Sequence, residues 1–445
     1  MVNQVIPFLE FCVENDHFSE FVQVSVGDFP ACFVNLFDHT GEDLQPSFGR
    51  GFRSSLTGIC NREDWCSAPR TRYLGEEPVF DGVVLGAVRR VVHHYYLETN
   101  SFRKSHEVLF HDVVGTGVGA AAGSMVAYCL FVTDIDPLKC NLLFEAFLNP
   151  DGTSLPEMDI VLAEGDKAKV IEWFTKRYGK ERVNSLTVGL VELRACSIIK
   201  DTVDNILKSK KRFFDVSRIQ LGDGETDRRL QDGDTVGIFR FEEPAMRAFL
   251  YGIQPVSFEE LMAVYALNQM GLSERTNRYI QNRQAWNRKG WRKYAFPGME
   301  QYLEQTYGVT FFPEQVMQLA QLLAGFTPGE SDMLRQVMAN KQVPEMMNLK
   351  EKFLCQGTAN GYYPDLLETI WLDWEKLLPH ACLKSHAAGA TLTAYRMAYL
   401  KVHYPAAFMA ACLNHNKDNM DEYQSLWNEL DDNNYYIFDN NIAND

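Results

Sequence analysis

The sequence predicts an α+β chain, with a small sheet flanked by helices and then a larger, mainly helical domain. Three observations carry this. Met158 to Leu162 is a short, mostly apolar stretch with residues 157, 159 and 161 on one face, as in a strand. Val316, Leu319, Ala320 and Leu323 recur at the i, i+3, i+4, i+7 spacing of a helix, and Leu392, Tyr395, Tyr399 and Val402 form a second such stripe. The 445 residues suffice for two or three domains with substantial cores.

Taken in order, residues 1–80 mix short apolar runs with turn signals such as Asp38-His39-Thr40-Gly41 and Phe48-Gly49-Arg50-Gly51, and no pattern places them. Residues 81–100 read as a helix carrying the adjacent pair His93-His94; a packed or solvated face is the plainer reading, a metal pair the alternative. Small and apolar residues over 121–131 predict a buried helix entered from a glycine-rich loop, Gly115 to Gly123. Asn149-Pro150-Asp151-Gly152 predicts a turn. Beyond the 158–162 strand, Asp166 is placed to cap a helix whose Val170, Ile171, Phe174 and Tyr178 make an apolar stripe that Gly179 ends. Gly325 follows the stripe that starts at Val316, and Pro405 restarts a helix over 405–412. Asp431 to Asp445 is rich in Asn and Asp and predicts a fraying end. No internal repeat is found.

Composition bounds the function. Hydrophobic residues make up 46% and charged residues 23%, ordinary values for a globular protein. No apolar run reaches the roughly 18 residues that cross a bilayer, so no membrane partner is expected. Met1 to Phe8 has no basic stretch and no small-residue cleavage site. None of the ten cysteines falls in a Cys-x-x-Cys pair, which predicts reduced thiols in a cytoplasm rather than a zinc site or disulfide framework. The formal charge of −16 works against tight, autonomous binding of nucleic acid, which needs at least a local basic patch. One such patch is present: Arg275, Arg278, Arg283, Arg288, Lys289, Arg292 and Lys293, interleaved with Tyr279, Trp286, Trp291 and Tyr294. Cations with aromatics suit a single-stranded or template-contacting surface; a protein contact and a solvated helix whose rings pack inward are the alternatives.

Several blocks then occur in one order. They are Gly115-Thr116-Gly117-Val118-Gly119-Ala120 through Ser124, Thr133-Asp134-Ile135-Asp136-Pro137-Leu138, Phe147-Leu148-Asn149-Pro150 and Pro156-Glu157-Met158-Asp159. Further on come Gly233 to Glu242, Thr306-Tyr307-Gly308-Val309, Glu314 to Gln321, Asp332-Met333-Leu334-Arg335, Lys384-Ser385-His386-Ala387-Ala388 and Tyr399 to Met409. Together these resemble the palm and fingers of the bacterial DNA polymerase III alpha subunit, the C-family of DNA polymerases, over roughly 110–412. The resemblance implies a polymerase palm-like sheet with flanking helices followed by a mainly helical fingers-like domain. It divides the chain into an unassigned 1–80, a palm-like 81–255 lacking most of the thumb, a fingers-like 256–415 and a polar tail 416–445.

The resemblance also implies the chemistry and its erosion. Asp159 matches the first metal-binding carboxylate and Val161 stands at the second. Asp215, in Phe213-Phe214-Asp215-Val216, matches the third and would sit on a strand neighbouring Asp159. Two-metal nucleotidyl transfer needs such carboxylates to bridge ions about 4 Å apart, and a valine cannot coordinate one. With Asp159 and Asp215 alone, at most one weakly held Mg²⁺ is expected; Glu157 is a distant substitute, starting about 7 Å along the strand. In the glycine-rich loop Val118 replaces the family's arginine and Ala120 its serine, while the glycines keep the backbone turn, and Gly117, Gly119 and Ser124 are carried over as nucleotide-binding positions. Arg335, Lys341, Lys384 and His386 match nucleotide-facing positions, although the family's paired arginines become Arg335-Gln336 and its Gly-Lys-Lys becomes Ala339-Asn340-Lys341. The expected function is therefore a degenerate polymerase, inactive, that binds DNA or acts as a scaffold with replication or repair proteins. The rivals are an active minimal polymerase and a protein-interaction module or inhibitor that mimics the fold.

Overall fold

The strand read over 158–162 forms in the computed structural model as β1, Met158–Leu162. It pairs in parallel with β2, Val188–Glu192, placing Asp159 beside Gly189 and Val161 beside Val191. A parallel pair needs a crossover, and the crossover here holds α2, Lys167–Tyr178, after the short α1, Met125–Cys129, has preceded the sheet. Glu192, at the end of β2, closes the unit: its Oε1 accepts from the backbone N–H of Gly165 at 2.9 Å and of Lys167 at 3.1 Å. Val170 of the expected α2 stripe is buried, whereas Ile171 is 39% exposed. The structure describes residues 119–129, 133–148, 158–178, 188–211, 214–271, 274–289, 294, 296–432, 437–438 and 441–442. The first eighty residues, His93-His94 and the 149–152 turn lie outside them.

From β2 the chain passes directly into α3, Arg194–Lys210, which ends where Lys211 takes a left-handed φ of 50°. The segment after it corrects one expectation. Asp215 stands on no strand; it caps a single 3₁₀ turn, Val216–Arg218, and its carboxylate accepts from the Ser217 N–H at 3.0 Å and the Ser217 Oγ–H at 2.7 Å. An Asp followed two residues later by a Ser offers the backbone this local bond in place of a ladder.

The remainder is helical: α4 Gly224–Gln231, α5 Pro244–Ile253, α6 Phe258–Met270, α7 Glu274–Lys289, the one-turn α8 Glu300–Leu303, α9 Pro313–Ala324, α10 Pro328–Ala339, α11 Val343–Ala359, α12 Pro364–Leu377, α13 Lys384–His403, α14 Pro405–His415 and α15 Met420–Asp432. Their ends follow local chemistry. Pro244, Pro313, Pro328, Pro364 and Pro405 occupy first turns, where the missing N–H is not needed. Thr327 and Glu330 form a reciprocal capping box on α10. Gly325 ends α9 at φ 67°, a conformation that favours glycine.

One continuous core runs from Ala122 through Ala195 to Leu430, with Val161, Leu162 and Val170 of the β1–α2 unit buried outside it. At its centre α13 is buried almost all round, not along one stripe: Ala387, Ala388, Ala394 and Ala398 are covered as fully as Tyr395. Small side chains let α3, α4, α6 and α14 approach it closely. Helix α15 docks through the buried Leu426 and Leu430, and a two-residue antiparallel pair, Ile437–Phe438 with Asn441–Ile442, follows it.

Lys401 of α13, 7% exposed, fixes this last helix by reaching Asp234 at 2.6 Å and Glu429 at 2.8 Å. Removing the shared cation leaves two half-buried acids facing each other. Lys401→Met should therefore cost about 3 kcal/mol of stability in urea unfolding. Glu429→Gln, which leaves the Lys401–Asp234 pair intact, should cost clearly less; equal costs would refute the bridging role.

Candidate functional site

The site is built around Asp159. It stands half-buried on β1, while Val161, next on the same face, is 1% exposed and part of the packed interior. Gly119 lies over the carboxylate: a Cβ added there would sit 3.8 Å from Asp159 Oδ2, and its φ of 82° favours glycine. The chain then turns through a 3₁₀ segment, Ala120–Gly123, and Ser124 is buried with its Oγ accepting from the Ala127 N–H at 3.2 Å. Ser124 thus serves the local backbone. Gly117 and Val118 lie outside the described residues.

His386, in the first turn of α13, shares the neighbourhood of Asp159. Burial pulls its pKa down, the positive charge of Arg240 adds to that, and Asp159 opposes both. Arg240 itself is exposed and holds a left-handed φ of 61°. The site therefore brings together a glycine turn, one carboxylate, one imidazole biased to its neutral form and one guanidinium. Sequence reasoning missed Arg240; its only local signal is a cation inside the otherwise apolar Ile238-Phe239-Arg240-Phe241 run.

A two-metal centre does not fit this donor set. The strand beside β1 is β2, and its residue level with Asp159 is Gly189, which has no side chain to offer. Val161 faces Val191 one step on. Asp215 is held by Ser217 and by Arg218 at 3.0 Å, at a 3₁₀ turn and not on the neighbouring strand. Among the described residues no three His, Cys, Asp or Glu side chains are grouped to hold a metal ion. Glu157 lies outside the described residues.

The other residues read as nucleotide-facing are placed as follows. Lys384 is buried at the start of α13, its Nζ donating to the Asn141 carbonyl at 3.1 Å and to Gln305 Oε1 at 2.8 Å. Its backbone N–H donates to Glu314 Oε1 at 2.8 Å, while Glu314 Oε2 has no hydrogen-bond partner. Burial lowers the Lys384 pKa and raises that of Glu314. Arg335 is paired with Asp332 of its own helix at 2.7 Å, and Lys341 is exposed just beyond α10.

The basic cluster of α7 is corrected in part. Arg275, with a side chain 13% exposed, donates to both Asp373 carboxylate oxygens, at 3.0 and 2.8 Å, and to the Thr310 carbonyl. Arg283, equally covered, makes a two-pronged bond to Glu260 at 2.8 Å on each oxygen and donates to the Ile253 carbonyl at 2.7 Å. Trp286 packs edge-on against Tyr307 at 5.6 Å, and Tyr279 is fully buried. These groups hold α7 to the core and have little left for phosphates. Arg278 is half-exposed beside Glu274 at 3.2 Å. The side chains of Arg288 and Lys289, and residues Trp291, Arg292 and Lys293, lie outside the described set.

Residues 94–220 match the family model described as the bacterial DNA polymerase III alpha NTPase domain, and residues 195–361 that of the bacterial DNA polymerase III alpha subunit finger domain. The DNA polymerase III subunit alpha of Borreliella burgdorferi is 28% identical over 429 residues, covering 69% of this chain and 37% of that protein. That of Staphylococcus epidermidis is 27% identical over 431 residues, covering 70% and 40%. That of Aquifex aeolicus is 25% identical over 452 residues, covering 69% and 39%. The chain spans no more than 40% of the length of these relatives. Two overlapping family models, together spanning residues 94–361, and relatives matched along most of this chain make it similar to the bacterial DNA polymerase III alpha subunit.

Proposed function

We propose that this chain keeps the polymerase framework without nucleotidyl transfer, and serves DNA replication or repair as a DNA-binding or scaffolding protein. The observation that carries the reading is the isolation of Asp159. Two-metal transfer needs carboxylates from more than one strand position, and the positions flanking Asp159 are Val161 along β1 and Gly189 across on β2. The missing thumb that the resemblance implies supports it. The Borreliella relative is matched over 429 residues against 69% of the 445 here, as expected where a stretch has been lost.

A second reading, a protein-interaction module that mimics the fold, is favoured by the charge of −16 and by the internal use of Arg275 and Arg283. It differs from the first in having no affinity for nucleic acid. Among the described residues no helix is long and apolar enough to cross a membrane.

Primer extension with Mg²⁺ or Mn²⁺ should give no template-directed product. Val161→Asp alone should not restore it, because Gly189 still leaves the neighbouring strand without a ligand. Extension that Asp159→Ala abolishes would overturn the reading and favour a working minimal polymerase.

The electrostatic triangle at the site has its own test, independent of activity. In NMR titration the His386 imidazole should protonate below the usual histidine range. Arg240→Ala should raise its pKa and Asp159→Asn should lower it. A depressed folded pKa means the unfolded chain binds the proton more readily, so this histidine costs stability as pH falls through its unfolded pKa. His386→Gln should flatten that part of the stability curve; an unchanged curve would show the imidazole to be solvated.

A further inference from the structure

The surface best equipped for phosphates is not the one that stands out in the sequence. Residues 208–212 read Lys-Ser-Lys-Lys-Arg. Lys208, Lys210 and Lys211 are exposed at the C-terminal end of α3, and no acid forms an ion pair with any of them among the described residues. A helix C-terminus attracts positive charge, but three free ammonium groups in four residues exceed what one helix end engages on a chain of net −16.

Beside these lysines runs a row of half-buried aromatic rings. Lys210 Nζ lies 4.7 Å from the centre of the Tyr404 ring, at the junction of α13 and α14. Tyr404 meets Phe214 at 5.1 Å, Phe214 stacks on Tyr399 at 6.2 Å, and Tyr399 lies 4.2 Å from His403. Two of the nearby acids are already engaged, while Asp204, four residues before Lys208 on α3, is exposed. Asp215 is held by Ser217 and Arg218, and Asp223 by Thr226 and by His403 at 2.9 Å. Burial pushes Asp223 up, yet the hydrogen bonds from Thr226 and His403 outweigh it and hold the carboxyl below its ordinary range. Asp223 thus stays ionised with its charge met by its own hydrogen-bond donors, while the three lysines remain exposed.

We propose that the C-terminal end of α3 and the adjoining aromatic row form a binding surface for single-stranded nucleic acid. The lysines neutralise successive phosphates and the edge of the row, at Tyr404, offers a ring to an unpaired base, an arrangement that a duplex with its bases stacked inside cannot use. The proposal rests on the DNA-binding arm of the reading above and gives it a location.

The test is fluorescence anisotropy of the full chain with labelled oligo-dT, at several salt concentrations. The unaltered chain should bind oligo-dT in preference to a duplex of equal length, with affinity falling steeply with salt. The triple variant Lys208→Gln, Lys210→Gln, Lys211→Gln should bind at least about tenfold more weakly at low salt, with a salt slope shallower by about 2, at about 0.7 per phosphate contact. Tyr404→Leu, which keeps apolar bulk, should weaken binding about fivefold or more without changing the slope. Thermal melting of both variants checks that the fold is intact. Oligo-dT binding by the unaltered chain with no change in the triple variant overturns this surface and leaves the DNA-binding reading standing. No binding by the unaltered chain at any salt overturns both and favours the interaction module. Equal binding of poly-glutamate would overturn the assignment to nucleic acid and mark the patch as a site for acidic polypeptides.

Discussion

The architecture depends on three buried cations along one helix, two met by acids and one by neutral oxygens. Lys384, Arg396 and Lys401 stand on α13, each more than nine-tenths buried. A buried charge without a partner would cost several kcal/mol, so each must be met where it lies. Lys384 reaches Asn141 and Gln305, Arg396 reaches Asp134 at 2.9 Å, and Lys401 reaches Asp234 and Glu429. These partners come from the turns around β1, from the segment before α5, from the region before α9 and from the last helix. Because an ion pair has a direction that apolar packing lacks, α13 is locked in register and rotation against all of them. That is what carries His386 to the neighbourhood of Asp159.

The same constraint explains what was legible in the sequence. The Val316 stripe, the Gly325 stop and the Pro405 restart were readable because the forces behind them are local. Five helices beginning at a proline carried the same information. What the sequence could not show was which charges would find partners. Arg275 is neutralised by Asp373, 98 positions away, and Arg283 by Glu260, 23 positions away. A linear reading saw seven cations near several rings; the fold uses two of those cations as internal braces. Lys208, Lys210 and Lys211 are fewer, and the Phe213-Phe214 pair that follows them reads in sequence as part of a strand. Tyr404 reaches them only through the packing of α3 on α14.

The candidate site was legible in part for a related reason. Asp159 and the glycine turn over it are set by short-range geometry, and both stand in the structure as a coherent pair. The partner strand is set by a long-range pairing, and Phe213-Phe214-Asp215-Val216 carried a strand-like pattern that a local cap overrode. β2, by contrast, has the Val-Gly-Leu-Val composition of a parallel strand, and its one acid, Glu192, stands at its far end, away from the level of Asp159.

On the proposed reading, that β1 and β2 pair with Val161 and Gly189 at the positions flanking Asp159 follows from the energetics of a metal site. Clustered carboxylates repel one another and hold together only while a cation neutralises them, so they strain the fold that carries them. At position 161 an aspartate would be an ion inside an apolar interior, whereas Val161, 1% exposed, contributes about 1.5–3 kcal/mol of burial. Once metal binding no longer constrains the sheet, replacing charge by apolar side chains or by glycine relieves repulsion and strengthens packing together. On the proposed reading, the loss of polar function and the persistence of the apolar framework are one process: each substitution that would silence the site would also make the scaffold easier to keep.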